Sequence, residues 1–581
     1  MNNYSKLGAM FLSGLILSVP LKTNAQSLNN LPLKSLEEDY ADFLSLTGEL
    51  TPEYLNFRTL SDSTWTFSLN GDSSVPMESN SQQINHLWGQ NNLGTMGTLF
   101  TPSVPKNNWF VNGINQRINY RIYGPENYSV YNVNLPYGYN DMGMWQGKGF
   151  NSALTAGFRF EGYGLELTFR PQISFSQNLP FDYMTPENYT KDTTGKYKDK
   201  ADTYGYIYKL TMDKPQRFGD SAFFNFDFGD SEIRYSWNNL TLGFGTEPIW
   251  LGPAKFNPQL HSNNAQTYPK IDAGLRKQKI ILPFTDINLG FIEGRIWTGY
   301  LTESDYYDND PENDHNLLHG LSMSYAPSFI PGLTLGANRI CLVHAQWSNM
   351  IYIIPMNKNT IDNSNKQGED QKISFTLDWK FAKYGFECYS EWAFDDFTSN
   401  KWANPFHTMT VTAGVKQALS IPRFPDFKIL LFAEFTSLEM SQDFQLQWTY
   451  GGLYQHHQIT QGHTNRGQQI GGGNTTGGNC QEVGFELYHP KFKLQCYYNR
   501  TTPDNNYIYN KAVDNKASDI NEQWYASYET HSGFQGTIDY FLLPQLTLKF
   551  GFYAEWVCNY KYILNNETTN YSISCGAKYN F

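Results

Sequence analysis

The sequence predicts an all-β protein built as a large antiparallel barrel that spans a membrane. Composition is the first reason. Aromatic residues make up 16% of the 581 positions and charged residues only 17%, yet the mean hydropathy is −0.52. Strands that meet lipid on one face and a polar lumen on the other, with aromatic girdles at both interfaces, produce that mixture. Period is the second reason. Leu154, Ala156, Phe158 and Phe160 alternate with Thr155, Gly157 and Arg159. Ile373, Phe375, Leu377, Trp379 and Phe381 alternate with Ser374, Thr376, Asp378 and Lys380. The same period runs through 165–169, 492–498 and 546–552, in segments matching the ~9–11 residues of a tilted transmembrane strand. The third reason is the last segment, where Tyr571, Ile573, Cys575, Ala577, Tyr579 and Phe581 alternate to the final residue.

The N-terminal region reads differently. Residues 1–25 have the form of a signal peptide: Lys6 closes a polar region, 7–21 are apolar, and Thr23-Asn24-Ala25 is a small-residue cleavage site before Gln26. Cleavage near Ala25 implies export, and export of a barrel implies the outer membrane. In 26–62, Leu36, Tyr40, Phe43 and Leu44 form a helical stripe. Ser35 with Glu38 makes a capping box, Gly48 is a stop, and Thr51-Pro52 is expected to start a second short helix. The barrel is expected over 63–581. Its connections alternate between tight ones, such as Gly162-Tyr163-Gly164, and long polar ones at 186–203, 302–316, 356–371, 456–480 and 499–523. That asymmetry fits periplasmic turns and extracellular loops. The 302–316 loop holds enough carboxylates to make a calcium site conceivable, but it lacks the spacing and glycine of an EF-hand, so it reads as a solvated acidic loop rather than a calcium site. No metal or cofactor is expected. The six cysteines show no zinc pattern and behave as small apolar residues. A net charge of −12 without a basic stripe argues against nucleic acid. No hydrolase signature is present, and Glu391, Glu434 and Glu439 fall on predicted strands, facing the lumen.

Several stretches stand out beside the alternation: Tyr40…Phe43-Leu44…Gly48…Phe57-Arg58-Thr59-Leu60; Gly147-Lys148-Gly149-Phe150-Asn151; Phe169-Arg170-Pro171 with Ser176-Gln177-Asn178; and Pro215-Gln216-Arg217-Phe218-Gly219. With those that follow, they resemble the Wzi-type capsule assembly family of outer-membrane proteins. The most characteristic is the run from Gly243 through Thr246-Glu247-Pro248-Ile249-Trp250-Leu251-Gly252-Pro253 to Ser262-Asn263-Asn264-Ala265. Tyr454-Gln455-His456-His457 and Gly462-His463-Thr464-Asn465-Arg466-Gly467-Gln468 complete the set. The family often has two tryptophans before Gly-Pro, whereas this chain has Trp250-Leu251. The resemblance implies about 18 strands, a periplasmic helical plug, and a lectin that attaches capsular or extracellular polysaccharide to the cell surface, not an enzyme or exporter. The alternative reading is an outer-membrane porin or channel for small solutes or glycans.

Sugar recognition needs aromatic faces against apolar ring faces, and amides or Arg against hydroxyls and carboxylates. Trp250, Asn263, Asn264, His463, Asn465 and Arg466 are the candidates of that chemistry, with Arg466 suited to an acidic sugar. Adjacent His456 and His457 would point to opposite faces of a strand and do not make a chelate. The final strand resembles the assembly signal of outer-membrane barrels, which makes the barrel-assembly machinery an expected partner beside polysaccharide and outer-membrane lipid. A monomer is expected.

Overall fold

In this computed structural model the described residues are 28–69, 73–74, 86–94, 96–185, 193, 200–207, 211–354, 368–395, 404, 406–447, 451–514 and 526–581. The signal peptide expected at 1–25 lies outside them. The period-two segments become strands with an inverted burial pattern. Along Gly149–Gly162, Asn151, Thr155 and Arg159 are buried, while Phe150, Leu154, Phe158 and Phe160 are exposed. Elsewhere Phe375, Phe550 and Ile573 face outward, and Arg234, Asp272, Lys372 and Glu486 face inward. Charges inside and large apolar groups outside are the arrangement that lipid demands of a closed barrel. No helix among the described residues is long and apolar enough to cross a membrane. The strands do so.

Eighteen antiparallel strands close the barrel. In chain order they are β1 (Ile118–Asn132), β2 (Gly149–Gly162), β3 (Leu165–Phe169 and Gln172–Ser176), β4 (Phe223–Asp227 and Glu232–Trp237), β5 (Leu240–Gly245) and β6 (Lys270–Ile281). Then come β7 (Asn288–Thr302), β8 (His315–Pro327), β9 (Leu333–His344), β10 (Glu369–Phe381), β11 (Phe386–Asp395) and β12 (Met409–Ile421). The last six are β13 (Phe424–Ser437), β14 (Asn479–His489), β15 (Phe492–Thr502), β16 (Thr530–Leu543), β17 (Leu546–Cys558) and β18 (Thr568–Tyr579). β18 pairs with β1 from Ser572↔Asn132 to Lys578↔Glu126, and the short strand Met96–Phe100 continues along the same edge of β1. β3 and β4 are each broken in two, where Pro171 lacks an N–H and Gly229 takes φ +57°. Arg170 bridges the break to Asp230 at 2.5 Å. The tight turn read at 162–164 is present, with Tyr163 and Gly164 both at positive φ.

The N-terminal region fills the lumen at the end of the short turns. Helix α1 (Leu36–Leu46) is capped as expected: Ser35 Oγ accepts the Glu38 N–H at 3.2 Å. Glu38 Oε2 reaches back to the Lys34 N–H at 2.6 Å. Its apolar stripe packs Tyr40 on Trp88, with centroids 4.2 Å apart, and Phe43 on Tyr488, 4.6 Å apart. Its acidic side faces the wall. Asp39 meets Lys493 of β15 at 2.5 Å, Asp42 meets Lys416 of β12 at 2.8 Å, and Glu37 meets Lys578 of β18 at 2.7 Å. Gly48, at φ +78°, then turns the chain.

The second helix expected at Thr51-Pro52 does not form. Leu50–Pro52 instead pairs with Trp65–Phe67, because that register buries Leu50, Trp65 and Phe67 together against α1. The boundary expected at residue 63 moves with it, since Trp65–Leu69 belongs to this inner sheet and the first full barrel strand starts at Ile118. No disulfide joins any of the six cysteines.

A wall clamp holds the plug. Asp62 accepts Arg276 at 2.8 Å and Arg295 at 3.0 Å. Burial alone would raise its carboxyl, but Arg295 and Arg276 outweigh that and hold it below the usual value. Removing one partner from a buried ion cluster costs ~3–5 kcal/mol because the remaining charges stay unpaired. Asp62→Ala is therefore expected to lower the unfolding free energy by about that amount, read as a shift of the denaturant midpoint in detergent micelles. An unchanged midpoint contradicts the clamp.

Candidate functional site

Two extracellular connections do not stand clear of the barrel but fold into it. The first is 246–269, between β5 and β6. Trp250–Leu251 pairs with Phe57–Arg58 of the plug, so segments entering from opposite ends meet in a two-residue ladder. The second is 451–478, within the long connection read as a loop. His463 Nε2 lies 2.7 Å from the Leu260 carbonyl, Ser262 Oγ donates to the Gly471 carbonyl at 2.8 Å, and Asn264 Nδ2 donates to the Gln469 carbonyl at 2.8 Å.

Irregular backbone inside a barrel needs acceptors for N–H groups that its own hydrogen bonds leave over, and wall carboxylates supply them. Glu293 of β7 accepts the N–H groups of Leu55, Asn56 and Phe57 at 2.7, 3.0 and 2.9 Å. Glu434 of β13 accepts those of Lys255, Phe256 and Asn257 at 2.6, 3.1 and 2.8 Å. Glu391 of β11 accepts that of Gln259 at 2.9 Å. Glu391 and Glu434 do face the lumen, as read. Glu439 lies past the end of β13 and accepts Asn505 Nδ2 at 2.8 Å.

The six candidate residues are brought to one region but differ in exposure. Trp250 is fully buried, donates Nε1–H to the Ala254 carbonyl, and carries Lys34 Nζ 4.9 Å from its ring centroid. Its face is used by an internal cation and offers nothing to a sugar. Leu251, where the resembled family often has tryptophan, is equally buried. Asn465 Nδ2 donates to the Gln266 carbonyl at 2.9 Å and so ties the two inserted segments as Asn264 does, while Asn264 Oδ1 accepts the Asn140 N–H and Asn465 Oδ1 accepts the Thr302 N–H, both at 3.0 Å. His463 is buried and stacks on Tyr454. Asn263 is buried with an Oδ1 that accepts no hydrogen bond. Arg466 alone is exposed, at the outer end, on a positive-φ turn. Tyr454 is in the core. His456 and His457 lie in a loop with rings 4.8 Å apart, so the strand reading of that pair fails.

A cavity of about 330 Å³ remains between the plug, the 134–144 segment and the wall of β15–β18. That is the small end of the ligand-pocket range, ~300–1,000 Å³. Asn263 lines it, as do Tyr137, Tyr139, Asp141, Phe256, Tyr497 and Tyr553. Tyr137 stacks on Tyr553 at 3.6 Å and 10°. Tyr137 and Tyr497 both donate to Gln535 Oε1, at 3.0 and 2.7 Å. Burial pushes the Asp141 carboxyl up to about 6 and the Lys34 ammonium down to about 8. Aromatic faces, amides and groups that change charge near neutrality are thus gathered in one place. The run Tyr137-Gly138-Tyr139-Asn140-Asp141 carried that signal in the sequence and went unread.

Neither the protein-family models nor the curated proteins compared with this chain gave a match. Solved structures did. The chain is similar to Wzi of Escherichia coli, whose structure is described as a carbohydrate-binding β-barrel involved in group 1 capsule assembly. The TM-score is 0.50 at 12% identity, over 79% of this chain and 85% of that one. It also matches OprB of Pseudomonas putida (TM-score 0.35, 11% identity, 80% and 94%) and OccAB4 of Acinetobacter baumannii (0.34, 10%, 78% and 97%). Its inverted burial and closed 18-strand topology define an outer-membrane β-barrel.

Burial holds the His463 imidazole down to about 3, with Lys372 adding to the effect. An unfolded chain takes up that proton below pH ~6.5 while the folded one does not, so stability is lost as pH falls from 6.5 toward 3. His463→Gln is expected to flatten this slope, by roughly 3 kcal/mol between pH 6.5 and 4 relative to the parent. Denaturant titrations at the two pH values check it, and parallel slopes contradict it.

Proposed function

We propose that this protein is a non-enzymatic surface lectin of the outer membrane that binds and holds capsular or extracellular polysaccharide. The observation that carries the reading is the closure of the lumen from both ends, with Trp250–Leu251 joined to Phe57–Arg58 at the meeting point. An 18-stranded barrel is wide enough for an aqueous channel, so filling it removes the property a porin uses. The fold shared with Wzi, a barrel described as carbohydrate-binding, supports the same reading.

Arg466 at the outer end supplies a bidentate donor for a sugar carboxylate. The tyrosine-lined cavity below, which Asn263 also lines, supplies ring faces for a sugar. Trp250, Asn264, His463 and Asn465 position these groups and do not themselves touch sugar. Catalysis by paired carboxylates is disfavoured because Glu391 and Glu434 already hold inserted backbone. The chain is a monomer in this reading, delivered to the outer membrane by the barrel-assembly machinery.

Purified protein in micelles is expected to bind acidic polysaccharides on a glycan array without turnover. Arg466→Ala and Tyr137→Ala are each expected to weaken binding about tenfold, or ~1.4 kcal/mol, with the barrel intact by circular dichroism. No glycan binding by the folded parent, or product formation, overturns the reading.

A further inference from the structure

The connection between β7 and β8 carries Glu303, Asp305, Asp308, Asp310, Glu312 and Asp314. The expectation of a uniformly solvated acidic loop does not hold. Glu303 is only 7% exposed, and its Oε1 is sealed from solvent and accepts no hydrogen bond. Carboxylate oxygens of Glu303, Asp308 and Asp314 lie within 4.8 Å of one another. A buried carboxylate without a donor, converging on two more, is an arrangement that self-repulsion opposes and a cation relieves.

The surroundings make this a built pocket. The Glu303 N–H donates to the Asp314 carbonyl at 2.9 Å and closes the neck of the loop. Asn313 Nδ2 donates to Asp308 Oδ2 at 3.2 Å, while Asn313 Oδ1 is sealed and unsatisfied. Asp213 is not a free neighbour, since it accepts both the N–H and the hydroxyl of Ser304 at 2.6 Å. The loop is also stitched to the inserted segment that bears Arg466. Tyr307 donates its hydroxyl to the Thr460 carbonyl at 2.6 Å, and the Arg466 N–H donates to the Thr302 carbonyl at 2.8 Å.

We propose that Glu303, Asp308 and Asp314 ligate a calcium-class divalent cation that fixes this loop beside the Arg466 segment. The donor set is all oxygen, with no His or Cys, which selects hard cations. An irregular loop that supplies three carboxylates and leaves positions for water suits the six to eight ligands of calcium better than the strict octahedron of magnesium. This inference stands apart from the polysaccharide reading and does not need it.

The test is calorimetric titration of the mature protein, stripped with chelator in micelles, with calcium chloride and separately with magnesium chloride. One saturable calcium site per chain is expected, with magnesium at least tenfold weaker. Glu303→Gln is expected to weaken calcium at least tenfold while the barrel keeps its β-sheet spectrum and heat-modifiable migration. If that variant does not fold, Asp314→Asn carries the same expectation from a more exposed position. A folded parent with no saturable calcium binding overturns the proposal. So do several weak sites that a folded variant leaves unchanged.

Discussion

Everything inside this barrel depends on one constraint: a polar group placed in the lumen must find its partner in the protein. Lipid surrounds the strands, so their inward rows are free to be polar or charged, as at Arg234, Asp272, Lys372 and Glu486. Once segments of irregular backbone fill the space, their N–H groups need acceptors. Glu293 and Glu434 each meet three consecutive N–H groups of an inserted segment. Asp62 anchors the plug to Arg276 and Arg295, and the acidic side of α1 lies on Lys416, Lys493 and Lys578. These contacts do not make a hydrophobic core in the ordinary sense. They fix the position of segments that have little regular structure of their own.

That constraint also explains what was legible beforehand. Strand alternation depends on lipid outside and polarity inside, which is local, so runs such as 154–160 and 571–581 identified the wall. The stripe Leu36, Tyr40, Phe43 and Leu44 identified α1 because it follows helical spacing. Its other side, Glu37, Asp39 and Asp42, looks in sequence like a solvated face. Only the closed barrel shows that it meets lysines hundreds of residues away. Thr51-Pro52 carries good helix-start signals, yet pairing with Trp65 wins because it buries Leu50. Tertiary burial overrides a capping preference of about 1 kcal/mol.

The candidate site was legible in part for the same reason. Residues around 250–264 and 463–466 do converge, but convergence made most of them structural. Trp250 stacks under Lys34, and Asn264 and Asn465 join the inserted segments. Arg466 keeps its exposure at a positive-φ turn. The tyrosines of the cavity come from β1, β15, β17 and the 134–144 segment, which no local pattern links. A filled lumen thus supplies the platform that carries an exposed outer face and a small aromatic cavity.

Single-channel conductance across a planar bilayer tests the central claim, that inserted segments held by wall carboxylates close the lumen. The parent protein is predicted to conduct far less than an open barrel of this width. Glu434→Ala combined with Glu293→Ala, which frees the inserted backbone on both sides, is predicted to produce frequent openings. A parent protein with a large, steady pore, or a double variant that stays as closed as the parent, contradicts the account.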